Sequence, residues 1–380
     1  MATLEDIWWR EGESERSLAL LAALSFAEGL FAAAAAGRRA LFRSGLWPSA
    51  RAPVPVISLG NLAVGGAGKT PATLCVGQRL LARGRRPAIL SRGYRASLRN
   101  PRVVSDGRSL LLSANEAGDE PFMLARRLPQ AAVLCGSQRA ALASRAVVEL
   151  GADALVLDDG FQHLALARDL DVVVIDAVNP IGNGRLLPRG PNRERFQALS
   201  RAQLAWLSRV DEALPDALRS LRASAQAATG RPPVESTHSV TDVLDGALGR
   251  SLGADALRGR RVLALCALAR PEGFHRTLAR LGAQVVAKKS FRDHHAFSDA
   301  EIEQVLSTAT ASGCDAVATT EKDAVRLPPR WVGEPCFRVV RISAQIVAGA
   351  EILDALLDRM LASRSPTSTA AAPPEAGQER

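Results

Sequence analysis

The sequence predicts an α/β protein: a doubly wound parallel sheet, a second, smaller α/β domain, and an apolar, membrane-associating helix ahead of both. Three observations predict it. Short aliphatic runs alternate with stretches of helical periodicity, the pattern of a parallel sheet covered by helices on both faces. A glycine-rich segment, Val64-Gly65-Gly66-Ala67-Gly68-Lys69-Thr70-Pro71, falls between the first such run and the helix-like stretch after it. A mostly apolar segment, residues 17–36, precedes them, about the length that crosses a bilayer.

From the N-terminus, Glu5, Asp6, Glu11, Glu13 and Glu15 come before any apolar run, the wrong charge for a secretory signal. Within 17–36 stands Glu28, and Arg38, Arg39 and Arg43 follow. A carboxylate in the middle of a span costs about 2.5–3.5 kcal/mol. Ser17, Ser25, Glu28 and Arg39 share one sector of a helical wheel, interrupted by Leu21, so a helix lying in the membrane interface keeps Glu28 in water. The expectation for residues 1–50 is a monotopic anchor, with an Ala-rich core helix as the alternative.

Residues 53–60 (PVPVISLG) read as a strand, and 71–83 as a helix closed by Gly84. Further strands are expected at 87–90, 131–134, 154–157 and 172–175, with helices at 121–128 and 140–150. Together they define a first domain over 51–240. Residues 212–249 are polar, Ala/Ser-rich and weakly patterned, which places the domain boundary near 240. The smaller domain, 241–362, carries expected strands at 262–266, 284–287, 316–319 and 337–340. The Pro/Ala/Ser-rich tail, 363–380, has the composition of a disordered segment.

Over 380 residues, a formal charge of +9 calls for an anionic partner: a phosphorylated substrate, an acidic membrane surface or nucleic acid. The arginines are scattered, and aromatic residues, at 4%, are too few to stack bases, which ranks nucleic acid last. Cys75, Cys135, Cys266, Cys314 and Cys336 are odd in number and form no C-x-x-C pair, so neither a disulfide framework nor a zinc site is indicated. Nothing in the chain points to an obligate protein partner.

In a P-loop, glycines let backbone amides curl around phosphate oxygens at a helix N-terminus, a Lys reaches the terminal phosphates, and a Ser or Thr ligates magnesium. Gly65, Gly66, Ala67, Gly68, Lys69, Thr70 and Pro71 supply this, although Ala63 stands where the general pattern has its first glycine. The fold expected is therefore P-loop NTPase-like, and the nucleotide ATP. The second part of such a site is an acidic strand end facing the same Mg2+. Asp158 and Asp159, ending the run Ala154-Leu155-Val156-Leu157, have that form, though Asp-Gly also closes strands as a turn.

With these segments in view, the chain resembles the tetraacyldisaccharide 4′-kinases. The matching stretches are PVPVISLGNLAVGGAGKTP, SRGYR at 91–95, GDEP at 118–121, DDGFQH at 158–163, LLPRGP at 186–191, FRDHHAF at 291–297 and TEKD at 320–323. The resemblance implies transfer of the ATP γ-phosphoryl group to the 4′-hydroxyl of an acylated disaccharide monophosphate, at the cytoplasmic face of the inner membrane. It implies that Asp119 accepts the hydroxyl proton while His294, or His295 in its place, orients and tunes it, the two segments meeting across the domain cleft. Without the resemblance, helix capping explains Asp119 and Glu120, and a surface loop explains both histidines. Arg92, Glu120, Gln162, His163, Arg189 and His295 are candidates for holding substrate or nucleotide. Lys322 and Asp323 fit a salt bridge or a cap equally well.

Two rivals remain at this stage. A nucleotide-dependent switch protein needs D-x-x-G and N-K-x-D motifs, and both acidic motifs here miss those spacings. A kinase of a soluble small molecule has no use for the apolar helix.

Overall fold

The structure, a computed structural model, describes residues 8, 18–93, 102–246, 249–268, 271–293, 295–331 and 333–363. The acidic N-terminal residues, the second half of the SRGYR motif, His294 and the expected tail beyond 363 lie outside the described residues.

Twelve strands hydrogen-bond into one sheet, in the order β10-β9-β11-β12-β8-β7-β6-β1-β5-β2-β4-β3. The first half centres on β1 (Val56–Gly60), with β5 (Ala154–Asp158) on one side and β6 (Leu170–Asp176) on the other, both parallel to it. β2 (Pro87–Ser91) and β4 (Ala132–Cys135) continue in parallel beyond β5, and β3 (Arg102–Asp106) closes that edge antiparallel to β4. On the other flank β7 (Leu204–Ser208) pairs with β6. These strands are buried from end to end apart from β3, hence their unbroken aliphatic sequences.

The second half is the parallel set β9 (Arg261–Cys266), β10 (Gln284–Ser290) and β11 (Ala316–Thr320). Two long strands join the halves. β8 (Val234–Asp245) pairs with β7 over residues 234–236 and then runs antiparallel to β12 (Phe337–Ala348), whose first residues pair with β11. Between those anchored ends the ribbon is half-exposed on both strands. Its residues therefore alternate no hydrophobic period, in keeping with the weakly patterned reading of 212–249, a segment that nonetheless holds both β8 and a helix, Pro215–Thr229. The expected boundary near residue 240 lies inside β8.

Among the described residues the longer α-helices are α1 (Leu18–Arg43), α2 (Lys69–Ala82), α3 (Asp119–Arg127), α4 (Arg139–Val148), α5 (Pro215–Thr229), α6 (Pro271–Arg280), α7 (Asp299–Ala311) and α8 (Ala350–Ser363), with single turns at Ala114–Ala117 and Glu321–Ala324. α7 opens on the capping box read from Ser298 and Glu301. α8, last in the chain, returns to the first half: Leu353, Leu357, Met360 and Leu361 share a core with Ile57, Val76 and Trp206. Arg83 at the end of α2 fastens it, 2.7 Å from both Asp354 and Asp358.

α1 is longer than the expected 17–36 and has no buried residue. Its polar residues face the first half: the Glu28 carboxylate accepts from the Leu186 amide at 2.8 Å, Arg38 donates to the Gln162 carbonyl at 2.9 Å, and Arg39 lies 3.5 Å from Glu194. Glu28 is thus satisfied by protein backbone, which corrects the expectation that water would hold it. Leu18, Leu20, Phe26 and Leu30 point outward.

Candidate active site

β1 ends at Gly60 and α2 begins at Lys69, so the glycine-rich loop lies between a buried strand and a helix N-terminus. Gly68 is the N-cap, in the left-handed region at φ 83°. A Cβ there would also sit 2.9 Å from His238 Nε2, so both backbone and space require glycine. With a glycine as N-cap, no side chain covers the first-turn amides, which leaves them for an anion. The loop is held from outside by the Val64 amide on the Pro191 carbonyl at 2.8 Å, the Arg193 amide on the Leu62 carbonyl at 2.7 Å, and the Ser208 hydroxyl on the Ala67 carbonyl at 2.9 Å. Ala63 makes a β-bridge to Asn192. An extended, paired residue needs no glycine, which accounts for the departure from the general P-loop pattern.

Asp158 and Asp159 follow at the end of β5, beside β1. Asp158 is buried, and its two oxygens accept from the Thr73 and Ser91 hydroxyls, each at 3.2 Å. Burial, then the charges of Glu120 and Asp159, push its carboxyl up to about 6. Asp159 takes a positive φ of 57°, which turns its side chain out of the strand register. Its oxygens lie 3.4 Å from Lys69 Nζ and 2.8 Å from Arg193. Burial alone would raise its pKa, but Lys69 and Arg193 outweigh it and hold the carboxylate at about 2. Lys69 and the acidic strand end, predicted separately, are therefore in contact.

Asp119 opens α3 and faces the 321–326 turn, its Oδ2 2.6 Å from Arg326 Nε. Lys322 Nζ lies 4.0 Å from Glu120 and 3.4 Å from Asp293. Asp293 immediately precedes His294, which lies outside the described residues. His295 is committed elsewhere: its Nε2 is 3.0 Å from Glu301, and its ring stacks on Phe291 at 4.7 Å.

The remaining candidates divide. Gln162 bridges the Asn61 carbonyl at 3.0 Å and Glu194 at 3.1 Å, with Arg193 on its own side-chain oxygen at 3.5 Å, a brace for the loop that follows β1. His163 is kept neutral, its pKa pushed down to about 4 by burial and then by Arg139. Its Nε2 is buried with no hydrogen-bond partner among the described residues. Arg92 is exposed just beyond β2, near enough to weigh on both His163 and Arg139. Arg189 sits in the loop whose backbone braces the P-loop, its carbonyl accepting from Asn183 at 3.0 Å.

Four contributors went unread in the sequence. Thr73 and Ser91 anchor Asp158, and Arg193 pairs with Asp159. Arg139 is buried, donates to the carbonyls of Ser91, Gly136 and Asp158, and has its pKa pushed down to about 10 by that burial. Ser91 and Arg193 lie in or beside motifs that were noticed, so adjacency was the available signal; Arg139 had none.

A glycine-rich loop between a buried strand and a helix N-terminus on a parallel sheet, its lysine in contact with an acidic strand end, is the arrangement of a P-loop phosphotransferase. A profile of the LpxK family, tetraacyldisaccharide-1-P 4′-kinase, matches residues 19–362, and the chain belongs to that family. A tetraacyldisaccharide 4′-kinase of Anaeromyxobacter sp. (strain Fw109-5) is 63% identical over 362 residues, spanning 95% of this chain and 97% of that protein. Another from Geobacter sulfurreducens is 41% identical over 72% of this chain and 74% of its own length. The crystal structure of LpxK from Aquifex aeolicus in complex with ATP superposes with a TM-score of 0.74 at 29% identity, covering 90% of this chain and 99% of that one.

Proposed function

We propose that this enzyme transfers the γ-phosphoryl group of ATP to the 4′-hydroxyl of a tetraacyldisaccharide 1-phosphate, giving the bisphosphorylated lipid A precursor. The contact between Lys69 and Asp159 carries the reading, because it joins the phosphate cradle to the acidic strand end in one site. In this reading the loop amides of residues 65–70 and Lys69 bind the phosphates. The Thr70 hydroxyl and the Asp158 and Asp159 carboxylates offer hard oxygen donors for magnesium. One feature fits that ion: burial and the neighbouring charges of Glu120 and Asp159 outweigh those of Lys69 and Arg139 at Asp158, so its carboxyl is raised where a cation would relieve it. Magnesium keeps several waters and phosphate oxygens in its shell, so a hydroxyl and one or two carboxylates suffice to hold it. When bound, magnesium would neutralise charge on the β- and γ-phosphates.

Asp119 would accept the proton of the acceptor hydroxyl, and His294 would orient it. The engagement of His295 with Glu301 and the place of Asp293 beside Lys322 and Glu120 support that choice of histidine. Arg92 and His163 would meet anionic groups of substrate or nucleotide. The acceptor lipid would reach the site along α1, whose apolar side is exposed while its polar side is bonded to the first half, the arrangement of a monotopic helix at the cytoplasmic face of the inner membrane.

The test is an assay with radiolabelled ATP and purified disaccharide monophosphate in mixed micelles, on wild type and the Asp119→Ala, His294→Ala and His295→Ala variants. Labelled lipid from the wild type, lost in the first two variants and kept in the third, is expected. No labelled lipid from the wild type would sink the proposal.

A further inference from the structure

The 320–326 segment enters none of the steps above, yet it touches the proposed base. Thr320 ends β11 and caps the turn, accepting from the Asp323 amide at 3.1 Å while its hydroxyl donates to Asp323 Oδ2 at 2.7 Å. Asp323 is wholly buried, and its other oxygen accepts from Arg326 Nη1 at 3.2 Å. Arg326 is therefore set in place by its own half of the sheet before it reaches across to Asp119. Its side chain is only 5% exposed, against 22% for Asp119, so the guanidinium meets the carboxylate from the more buried side of the pair.

We propose that Arg326 is a positioning residue for phosphoryl transfer, anchored by Asp323, which holds the Asp119 carboxylate correctly aimed across the join between the two halves. The inference rests on the reading of Asp119 as the base. An exposed ion pair would do little of this, since solvent screens it and the side chains stay mobile. Here one partner is buried and doubly bonded, so it restricts the other. A guanidinium makes Asp119 a weaker base, but in the loose transition state of phosphoryl transfer the proton moves late, and placement of the acceptor hydroxyl matters more than basicity. The other charged groups on the elements that meet here, among the described residues, are Glu120, Arg126 and Arg127 on α3, Asp293 and Arg292 on the loop before α7, and Glu321 and Lys322 on the turn. Arg127, at the far end of α3, reaches Glu321 at 2.6 Å and ties the same helix to the same turn. Asp119 therefore meets the turn at a junction already fixed nearby.

The experiment measures kcat and KM for both substrates against pH in wild type, Arg326→Gln, Arg326→Lys and Asp119→Asn, together with Tm and ATP binding. In Arg326→Gln, kcat should fall on the order of 10²-fold with KM for ATP within about twofold, the size of a misplaced general base. The acidic limb of its kcat profile should move up by about one pH unit, because a carboxylate that loses its cationic partner protonates more readily. Arg326→Lys should recover part of kcat and most of the limb, and it also serves if Arg326→Gln does not fold. A pH profile and kcat unchanged in both Arg326 variants, with Asp119→Asn inactive, would overturn the positioning role and leave Asp119 as the base. Full turnover in Asp119→Asn would overturn both.

Discussion

The buried end of β5 and the turn that follows it carry adjacent carboxylates with opposite fates. Asp158 sits inside the sheet, its carboxylate given hydroxyl donors but, among the described residues, no ion pair, and its carboxyl is pushed up to about 6. Asp159, one residue on, is turned outward by its positive φ onto Lys69 and Arg193 and is held at about 2. Sequence neighbours thus become one strained charge and one compensated charge. The difference teaches that a strand end separates two roles which the Asp-Asp pair alone cannot distinguish: a buried site with charge still to be neutralised, and a rim already neutralised by the lysine meant for phosphate.

The strongest way to break the contrast is Lys69→Ala. It removes both the proposed phosphate ligand and one of the two cations on Asp159, and turnover should fall by about 10²–10³-fold, as when one preorganised transition-state contact is lost. Steady-state kinetics with saturating lipid would check it. Asp158→Asn sharpens the contrast instead, since activity should fall while the metal-free protein becomes more stable. The sign follows from linkage: the folded pKa lies above the unfolded one, so the ionised group destabilises the fold above about pH 6, and the wild type recovers stability as pH falls from 6 towards 4. At pH 8 in chelator the variant should gain on the order of 1 kcal/mol, with the gap closing by about pH 4. Denaturant titrations at several pH values would show it, and a variant less stable at pH 8 would refute the strain.

Arg193→Ala tests the rim more gently. Both partners are partly exposed, so stability should change by no more than about 1 kcal/mol, while Asp159 is left with Lys69 alone. A rise in the magnesium or ATP concentration needed for half-maximal rate is the expected readout. The smallest effect on folding should come from Phe26→Glu on the outer side of α1, within about 0.5 kcal/mol of wild type, because the side chain is 72% exposed. Binding to anionic vesicles should nonetheless fall clearly, as measured by flotation. Unchanged vesicle binding would remove α1 from the membrane reading.

Much of the first half was legible because its strands are buried on both faces and read as aliphatic runs, and because glycines and capping residues mark their ends. β8 and β12 were not, at least not to their full length. Thr237, His238, Ser239 and Thr241 follow no two-residue period, since the middle of the ribbon has no wholly buried face. α8 was missed for another reason: its apolar residues could have covered either half, and only the packing of Leu353 and Leu357 beside α2 decides which. Among the candidates, Lys69, Thr70, Asp158 and Asp159 rest on motifs and Asp119 on the family resemblance, whereas Arg139 and Arg326 carry no such signal, for an arginine is ordinary in any helix or turn until its partners are known.

By itself the sequence determined that a phosphate-binding loop joins a buried strand to a helix, that an acidic strand end accompanies it, and that an apolar helix precedes both. Those features are local, written in residues a few positions apart. Only the tertiary structure decided which carboxylate is strained and which is paired, that Glu28 bonds to backbone, and that Arg326 reaches Asp119 across the sheet. Each of these depends on distance and burial between residues far apart in the chain, and Coulomb energies and desolvation follow that geometry rather than the order of residues.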